Sequence, residues 1–237
     1  MYTIDDIKVT LLNGEDVKEF IRNHGITACI CYATDEKYAE KVGLSCMKEG
    51  HMSGSRGDFF KFEIEAPRFT IDQIVRHEQG VFKNVQSQRY VDMDDSFSIY
   101  APPYVLKDDH LLYRYMKYEA MCREQYKINR EIFNSLGVTG EQANDLMRTM
   151  LPIGVKSKVR IGFTLEALIH FMHKRLCVRA DLPIRKVAEL MREEVLKVQP
   201  LYEEILIPQC VDLLYCPEKH SCKKYPSKQE LIEKIQK

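Results

Sequence analysis

The sequence predicts an α/β fold, a mixed sheet with long helices. Three observations carry this. Residues 58–66 and 155–163 alternate apolar and polar side chains, the period of a half-buried strand. Residues 109–136, 165–176 and 184–198 place apolar side chains at helical spacing, and these patterns crowd the second half of the chain. No internal repeat or low-complexity linker interrupts the series. In order along the chain, Asn13, Gly14, Glu15 and Asp16 open a helical pattern through Val17, Phe20 and Ile21 that Gly25 is expected to stop. Residues 28–32 are a short apolar run. Thr34, Asp35 and Glu36 mark the start of a helix reaching Glu49, with Gly50 as its stop signal. In residues 58–66, Phe60, Phe62 and Ile64 alternate with Lys61, Glu63 and Glu65. Residues 70–77 read as a short helix with Gln73 and Arg76 near its C-terminal end, and residues 92–103 as a strand or loop. Gly137 closes the longest helical pattern. Thr139, Gly140 and Glu141 start another helix that ends before Pro152, and Pro183 stands at the start of the last long helix.

At 237 residues the chain can bury a full core as one domain or two small ones. Hydrophobic content is 45% and charged content 30%, the balance of a soluble globular protein. Lys+Arg and Asp+Glu are both 35, which argues against a dedicated polyanion binder, and no nucleic-acid partner is expected. No apolar run approaches the roughly 20 residues that span a membrane, and the first residues lack the regions of a signal peptide. With eight scattered cysteines, the expectation is a reduced, cytoplasmic protein without membrane association.

Chemistry concentrates in Gln73-Ile74-Val75-Arg76-His77 and Gln86-Ser87-Gln88-Arg89-Tyr90. Arginine offers forked donors for phosphate oxygens or a pyrimidine edge, and serine and glutamine complete such a site with neutral hydrogen bonds. A small anionic nucleotide fits this set. On residue type alone, a basic loop of this kind is more often solvated surface.

The order of these residues resembles the signature of the flavin-dependent thymidylate synthases: Arg-His-Arg, a short spacer, then Ser-x-Arg-Tyr. Arg76, His77, Ser87, Arg89 and Tyr90 match, and so does Gln73 just upstream. Glu78 stands where the second arginine is expected, and the spacer is one residue longer and lacks its serine. Further elements extend the resemblance over about residues 28–222. Gly50-His51-Met52-Ser53 is similar to a flavin-binding Gly-His-x-Ser/Thr element, although Arg56-Gly57 replaces the Glu-His that follows it there. Arg148-Thr149-Met150-Leu151-Pro152 matches an Arg-x-x-Leu-Pro element whose arginine contacts dUMP. The helix through His170 to Arg175 is similar to one ending in a functional arginine, with Thr164-Leu165-Glu166 in place of Asn-x-Arg before it. The segment from Arg179 to Arg185 and the tail with Cys210, Cys216 and Cys222 also look like family elements.

The resemblance implies a flavin-dependent thymidylate synthase-like fold, with a catalytic domain over residues 1–209 and a cysteine-containing tail over 210–237. It implies dUMP held by Gln73, Arg76, Gln86, Ser87, Gln88, Arg89, Arg148 and Arg175, with Arg175 the catalytic residue that stabilises charge on the pyrimidine. It implies FAD held by His51, Ser53, Arg76, His77, Glu78, Thr164, Glu166, His170 and Arg179, with NADPH and methylenetetrahydrofolate as co-substrates. The expected product is dTMP, from a homotetramer with no cysteine nucleophile. The departures at Glu78, Thr164 and Glu166 leave two alternatives: a related 5-hydroxymethylase, or a nucleotide-binding homologue without redox activity. Taken singly, Arg148 and Arg175 also read as surface arginines favoured by a helix C-terminus, and His51 and His77 as ordinary packing histidines.

No metal is expected. His170 and His173 share a helix face but have no partner at ligand spacing nearby. Cys210-x5-Cys216-x5-Cys222, with His220, is looser than the usual zinc pairs, and ordinary tail cysteines are the favoured reading. Leu111, Tyr113, Tyr115, Met116, Tyr118 and Met121 form apolar faces on the longest helix, ascribed to core or subunit packing.

Overall fold

The computed structural model describes residues 1–93 and 97–236. Its elements run β1 (Lys8–Leu11), α1 (Gly14–Tyr32), α2 (Ala39–Lys48), β2 (Phe59–Pro67), α3 (Arg68–Ile74), β3 (Val81–Val85), α4 (Asp109–Ser135), α5 (Gly140–Met147), β4 (Lys156–Thr164), α6 (Leu165–Arg175), α7 (Leu182–Val198), α8 (Gln209–Leu213) and α9 (Lys228–Ile235). The strands form one four-stranded sheet in the order β1-β2-β4-β3. The α/β expectation holds, and the predicted strands and long helices lie within a few residues of their expected bounds.

Four readings change. Gly25 does not stop α1, which runs on to Tyr32 and ends at Ala33 in the left-handed region (φ 49°). The glycine serves a close crossing instead: a Cβ on Gly25 would lie 1.7 Å from the Ala39 carbonyl oxygen, and one on Gly43 of α2 would lie 2.0 Å from that of Ile21. The short strands β1 and β3 and the tail helices α8 and α9 carry too few apolar residues for their periods to register. Helix α3 ends at Ile74, so Gln73 is helical while Arg76 lies in the turn beyond. In the stretch 92–103, residues 94–96 lie outside the described residues. The remainder is irregular, apart from isolated bridges pairing Tyr2 with Tyr100 and Ile99 with Val155.

The chain divides into two compact units. The first comprises Met1–Lys8, Ile64–Arg76 and Asn84–Arg160. Its core gathers Met93, Phe97, Ile99, Tyr126, Met147 and Val155. Two buried ions organise α4. Glu119 accepts from the Ile99 amide, the Arg123 guanidinium and the terminal ammonium of Met1, at 2.8–2.9 Å. Arg130 donates to Asp92, Asn144 and the Tyr126 hydroxyl. Buried charges persist only with such partners, and Arg130 thereby ties α5 to α4.

The second unit comprises Val9–Glu63, His77–Lys83 and Ile161–Lys237. Phe60 of β2 makes edge contacts with Phe20 and Tyr202, with centroids 5.4 and 5.3 Å away. Phe62 meets Phe163 of β4, Phe163 meets Phe171 of α6, and Phe171 meets the His77 ring at 5.0 Å. Such ring pairs add about 0.5–1.5 kcal/mol each beyond area burial. The alternation that makes β2 a strand therefore supplies the inward rings from which the chain of contacts reaches His77. On β3, Phe82 lies across Gly162 of β4, where an added Cβ would fall 1.9 Å from its ring.

Candidate functional site

In the first unit, the structure brings Arg89 and Arg148 onto one carboxylate. Asp145 of α5 lies 3.2 Å from Arg89 Nε and 3.0 Å from Arg148, and Glu141, one helical turn earlier, is 2.8 Å from Arg89. The Ser87 hydroxyl accepts from the Arg89 amide at 3.2 Å, and the Gln86 amide donates to the Lys158 carbonyl on β4 at 2.8 Å. The segment carrying Gln86, Ser87, Gln88 and Arg89 is thus pinned to β4 at one end and to α5 at the other. Both arginine side chains keep nearly half of their surface exposed (44% and 47%). They are oriented by carboxylates yet open to an anion, which can form charge-assisted, forked hydrogen bonds with them. Gln73, half-buried on α3, and the exposed Arg76 belong to the same unit.

In the second unit, His77, His170 and Arg175 come together. Arg175 Nε donates to His77 Nε2 at 3.2 Å, and the His170 ring is 6.1 Å from that of His77. Burial, then the charge of Arg175, then His170 and Lys83, push the His77 pKa down to about 4. The imidazole is therefore neutral near pH 7 and able to accept. A charged ring would have no lone pair to offer and would repel the guanidinium.

Thr164 and Gly80 build the turn beside this pair. The Thr164 hydroxyl caps α6 by accepting from the Ala167 amide, and its own amide donates to the Gly80 carbonyl at 2.8 Å. Gly80 has φ 67°, and a Cβ there would sit 2.4 Å from the Thr164 hydroxyl. Thr164, expected as a cofactor contact, has this local structural task. Glu78 and Glu166 are exposed. His51 and Ser53 are exposed on the segment after α2, with His51 Nε2 3.8 Å from Glu49. Arg179 is exposed beyond α6 and lines a different cavity, among cysteines and His173.

The bracing carboxylates Glu141 and Asp145 and the buried Arg130 that holds α5 were not among the expected site residues. Their i, i+4 spacing from the start of α5 to Asp145 is visible in the sequence but is shared by any solvated helix face. Among the described residues, no group of three His, Cys, Asp or Glu side chains is already set to hold a metal ion, and no helix is long and apolar enough to cross a membrane.

Exposed guanidinium groups braced by carboxylates are donors suited to an anionic small molecule. The family model for thymidylate synthase complementing protein matches residues 19–201. A flavin-dependent thymidylate synthase of Nitratidesulfovibrio vulgaris is 32% identical over 198 residues, covering 81% of this chain and 80% of its own length. One from Pyrococcus abyssi is 36% identical over 180 residues, covering 72% and 69%. The chain belongs to the flavin-dependent thymidylate synthase family. The fold is also that of a UMP/dUMP methylase, PolB, from Streptomyces cacaoi, solved with 5-Br dUMP. The TM-score is 0.63 at 17% identity, over 87% of this chain and 99% of that one.

Proposed function

We propose that the protein is an enzyme that makes dTMP from dUMP by flavin-dependent methyl transfer. Methylenetetrahydrofolate is the carbon donor and NADPH the reductant. The observation that carries this reading is the gathering of Arg89 and Arg148, from two separate family motifs, onto Asp145. These arginines hold the nucleotide's anionic end, and Ser87, Gln86, Gln88, Gln73 and Arg76 complete its contacts. Arg175 donates to the negative charge that develops on the pyrimidine as its N3 proton is lost. That donor contributes most if its plane is already fixed, and the neutral His77 fixes it by accepting at Nε.

The exposed donors His51, Ser53, Arg76 and Arg179 suit a phosphate-bearing cofactor, and the carboxylates of Glu78 and Glu166 are exposed enough for water to screen them. The residues present therefore fit FAD, with His77 and His170 beside it. When bound, the flavin supplies the hydride, and the protein's part is to bind, orient and polarise. We take residues 1–209 as the catalytic part, working in the cytoplasm.

Helix α4 supports self-association as a homotetramer. Leu111, Tyr113, Met116, Tyr118 and Met121 are 41–61% exposed rather than core, and Tyr104, just before the helix, is 82% exposed. Leu111, Tyr118 and Met121 share one side of the helix and Tyr113 and Met116 another, and exposed apolar side chains in this number suit a protein interface.

The test is direct. The purified protein should show flavin absorption bands and convert dUMP to dTMP when given methylenetetrahydrofolate and NADPH, with the product identified by mass spectrometry. A 5-hydroxymethyl product would replace this reading with the hydroxymethylase. Tight dUMP binding without flavin or turnover would replace it with a nucleotide-binding homologue.

A further inference from the structure

The spacing of the tail cysteines is too loose to suggest a metal site, but the fold adds a fourth thiol from elsewhere in the chain. Cys177, just past α6, lines one cavity of about 210 Å³ together with Cys210, Cys216 and Cys222. All four are free thiols, so half of the chain's eight cysteines face a single space. We propose that Cys177, Cys210, Cys216 and Cys222 form a thiolate site for a soft divalent cation of the zinc type, which staples the C-terminal segment to the end of α6.

Three further observations support it. The segment 207–236 contains no buried residue, and α8 and α9 bury none. A segment of that length without a core needs another source of order, and small units of this kind commonly use a metal. Second, the loop carrying Cys216 and Cys222 is already closed at its base: the Cys216 amide donates to the Pro226 carbonyl at 2.7 Å, and Cys216 bridges to Ser227. Leu214 and Lys223, two of the three non-glycine residues at positive φ among the described residues, flank that loop. Third, the charges suit the ion. Four thiolates around a divalent cation leave a net charge of about −2, and Arg179 and Lys224 line the same cavity, against one carboxylate, Glu218.

A bound cation deprotonates its thiol ligands. Among the described residues no three such side chains are placed to hold an ion as they stand, so loading must draw the thiols in to zinc–sulfur distances of roughly 2.3 Å. Cys222 and its neighbours are exposed, so drawing them inward displaces no core.

The experiment uses the full chain purified under reducing conditions, metal-depleted with a chelator and reloaded. Zinc analysis after exhaustive dialysis should give about one ion per chain. Cobalt(II) loading should give the thiolate-to-metal charge-transfer band and the intense visible bands of a tetrahedral thiolate site, read as a difference spectrum against the metal-free protein. Four thiols should become protected from a thiol reagent on loading. Cys177→Ser and Cys216→Ser should abolish stoichiometric binding, whereas Cys31→Ser should leave it intact. The wild-type cobalt spectrum decides the matter even if a variant fails to fold. Absence of a charge-transfer band, retention of the ion by Cys177→Ser, or oxidation of these cysteines to disulfides in place of metal uptake would each overturn the proposal.

Discussion

Arg175 donates its Nε–H to Nε2 of His77 across 3.2 Å, and that imidazole is held neutral by its surroundings. The bond joins a signature residue on the turn after α3 to the last residue of α6. It fixes the plane of the guanidinium proposed to polarise the pyrimidine. Arg175→Ala should lower turnover by a factor on the order of 10²–10³, as for other preorganised donors, while flavin stays bound. Steady-state kinetics and the visible spectrum of the variant test this together. Turnover within tenfold of wild type would remove Arg175 from the reaction.

The same pair predicts a pH dependence of stability. The His77 pKa is about 4 in the fold against an ordinary 6.5, so the unfolded chain takes up the proton first. Stability is then full above about pH 6.5 and falls as pH drops through the window down to about 4. The ring is only half-buried, so the loss is discounted to roughly 1–2 kcal/mol. His77→Asn, which keeps an acceptor but cannot titrate, should lose that much less stability than wild type between pH 7 and pH 4. Urea denaturation at the two pH values gives the comparison, and equal losses in both proteins would contradict it.

Arg89 and Arg148 should not act independently on dUMP, because Asp145 braces both. Each substitution to alanine should weaken dUMP binding by about 1.5–3 kcal/mol, the range for hydrogen bonds to a charged group. The double variant should lose less than the sum, since removing either arginine leaves Asp145 to the other. Calorimetric titration of dUMP into the three variants measures the coupling. Unchanged binding in both single variants would sink the nucleotide assignment.

Much of the fold was legible because its apolar periods are strong. β2 and β4 bury alternate residues, and α7 repeats Ile184, Val187, Ala188, Met191 and Val195 on one buried face. The residues proposed to contact the nucleotide stand in the sequence as an order of donors along the chain. Their bracing is not visible there. Asp145 and Glu141 look like any exposed helix carboxylates until Arg89 is folded against them. Thr164 reads as a site residue, and only the fold shows that its hydroxyl also caps α6. Gly25 misled: a glycine that ends a helix and one that admits a second helix look alike until the partner, Gly43, is seen across from it.

That crossing makes a prediction about stability. An alanine Cβ at Gly25 would meet the Ala39 carbonyl oxygen at 1.7 Å, and one at Gly43 would meet the Ile21 carbonyl oxygen at 2.0 Å. Backbone atoms inside helices cannot rotate aside as a side-chain tip can, so α1 and α2 must separate. Overpacking of this kind costs about 1–3 kcal/mol or more, although alanine is otherwise the better helix former by roughly 1 kcal/mol. Both Gly25→Ala and Gly43→Ala should lower the urea midpoint. A neutral or stabilising result would mean that the helices are not in such close contact.

Glu78 offers the sharpest test of how the chain departs from its family's signature. It replaces an expected cation at the edge of the proposed cofactor region, and it is exposed rather than built into a buried ion pair. An exposed carboxylate near an anionic cofactor repels it only weakly, because water and salt screen the charge. Glu78→Arg reverses the sign at that point. It should tighten FAD by about 1 kcal/mol or less, roughly fivefold at low ionic strength, and the gain should shrink as salt is added. Fluorescence titration of FAD at two salt concentrations reads both the sign and the screening. If the variant instead binds FAD more weakly at both, the glutamate accepts a specific hydrogen bond from a rebuilt site, and the hydroxymethylase alternative gains weight over ordinary methylation.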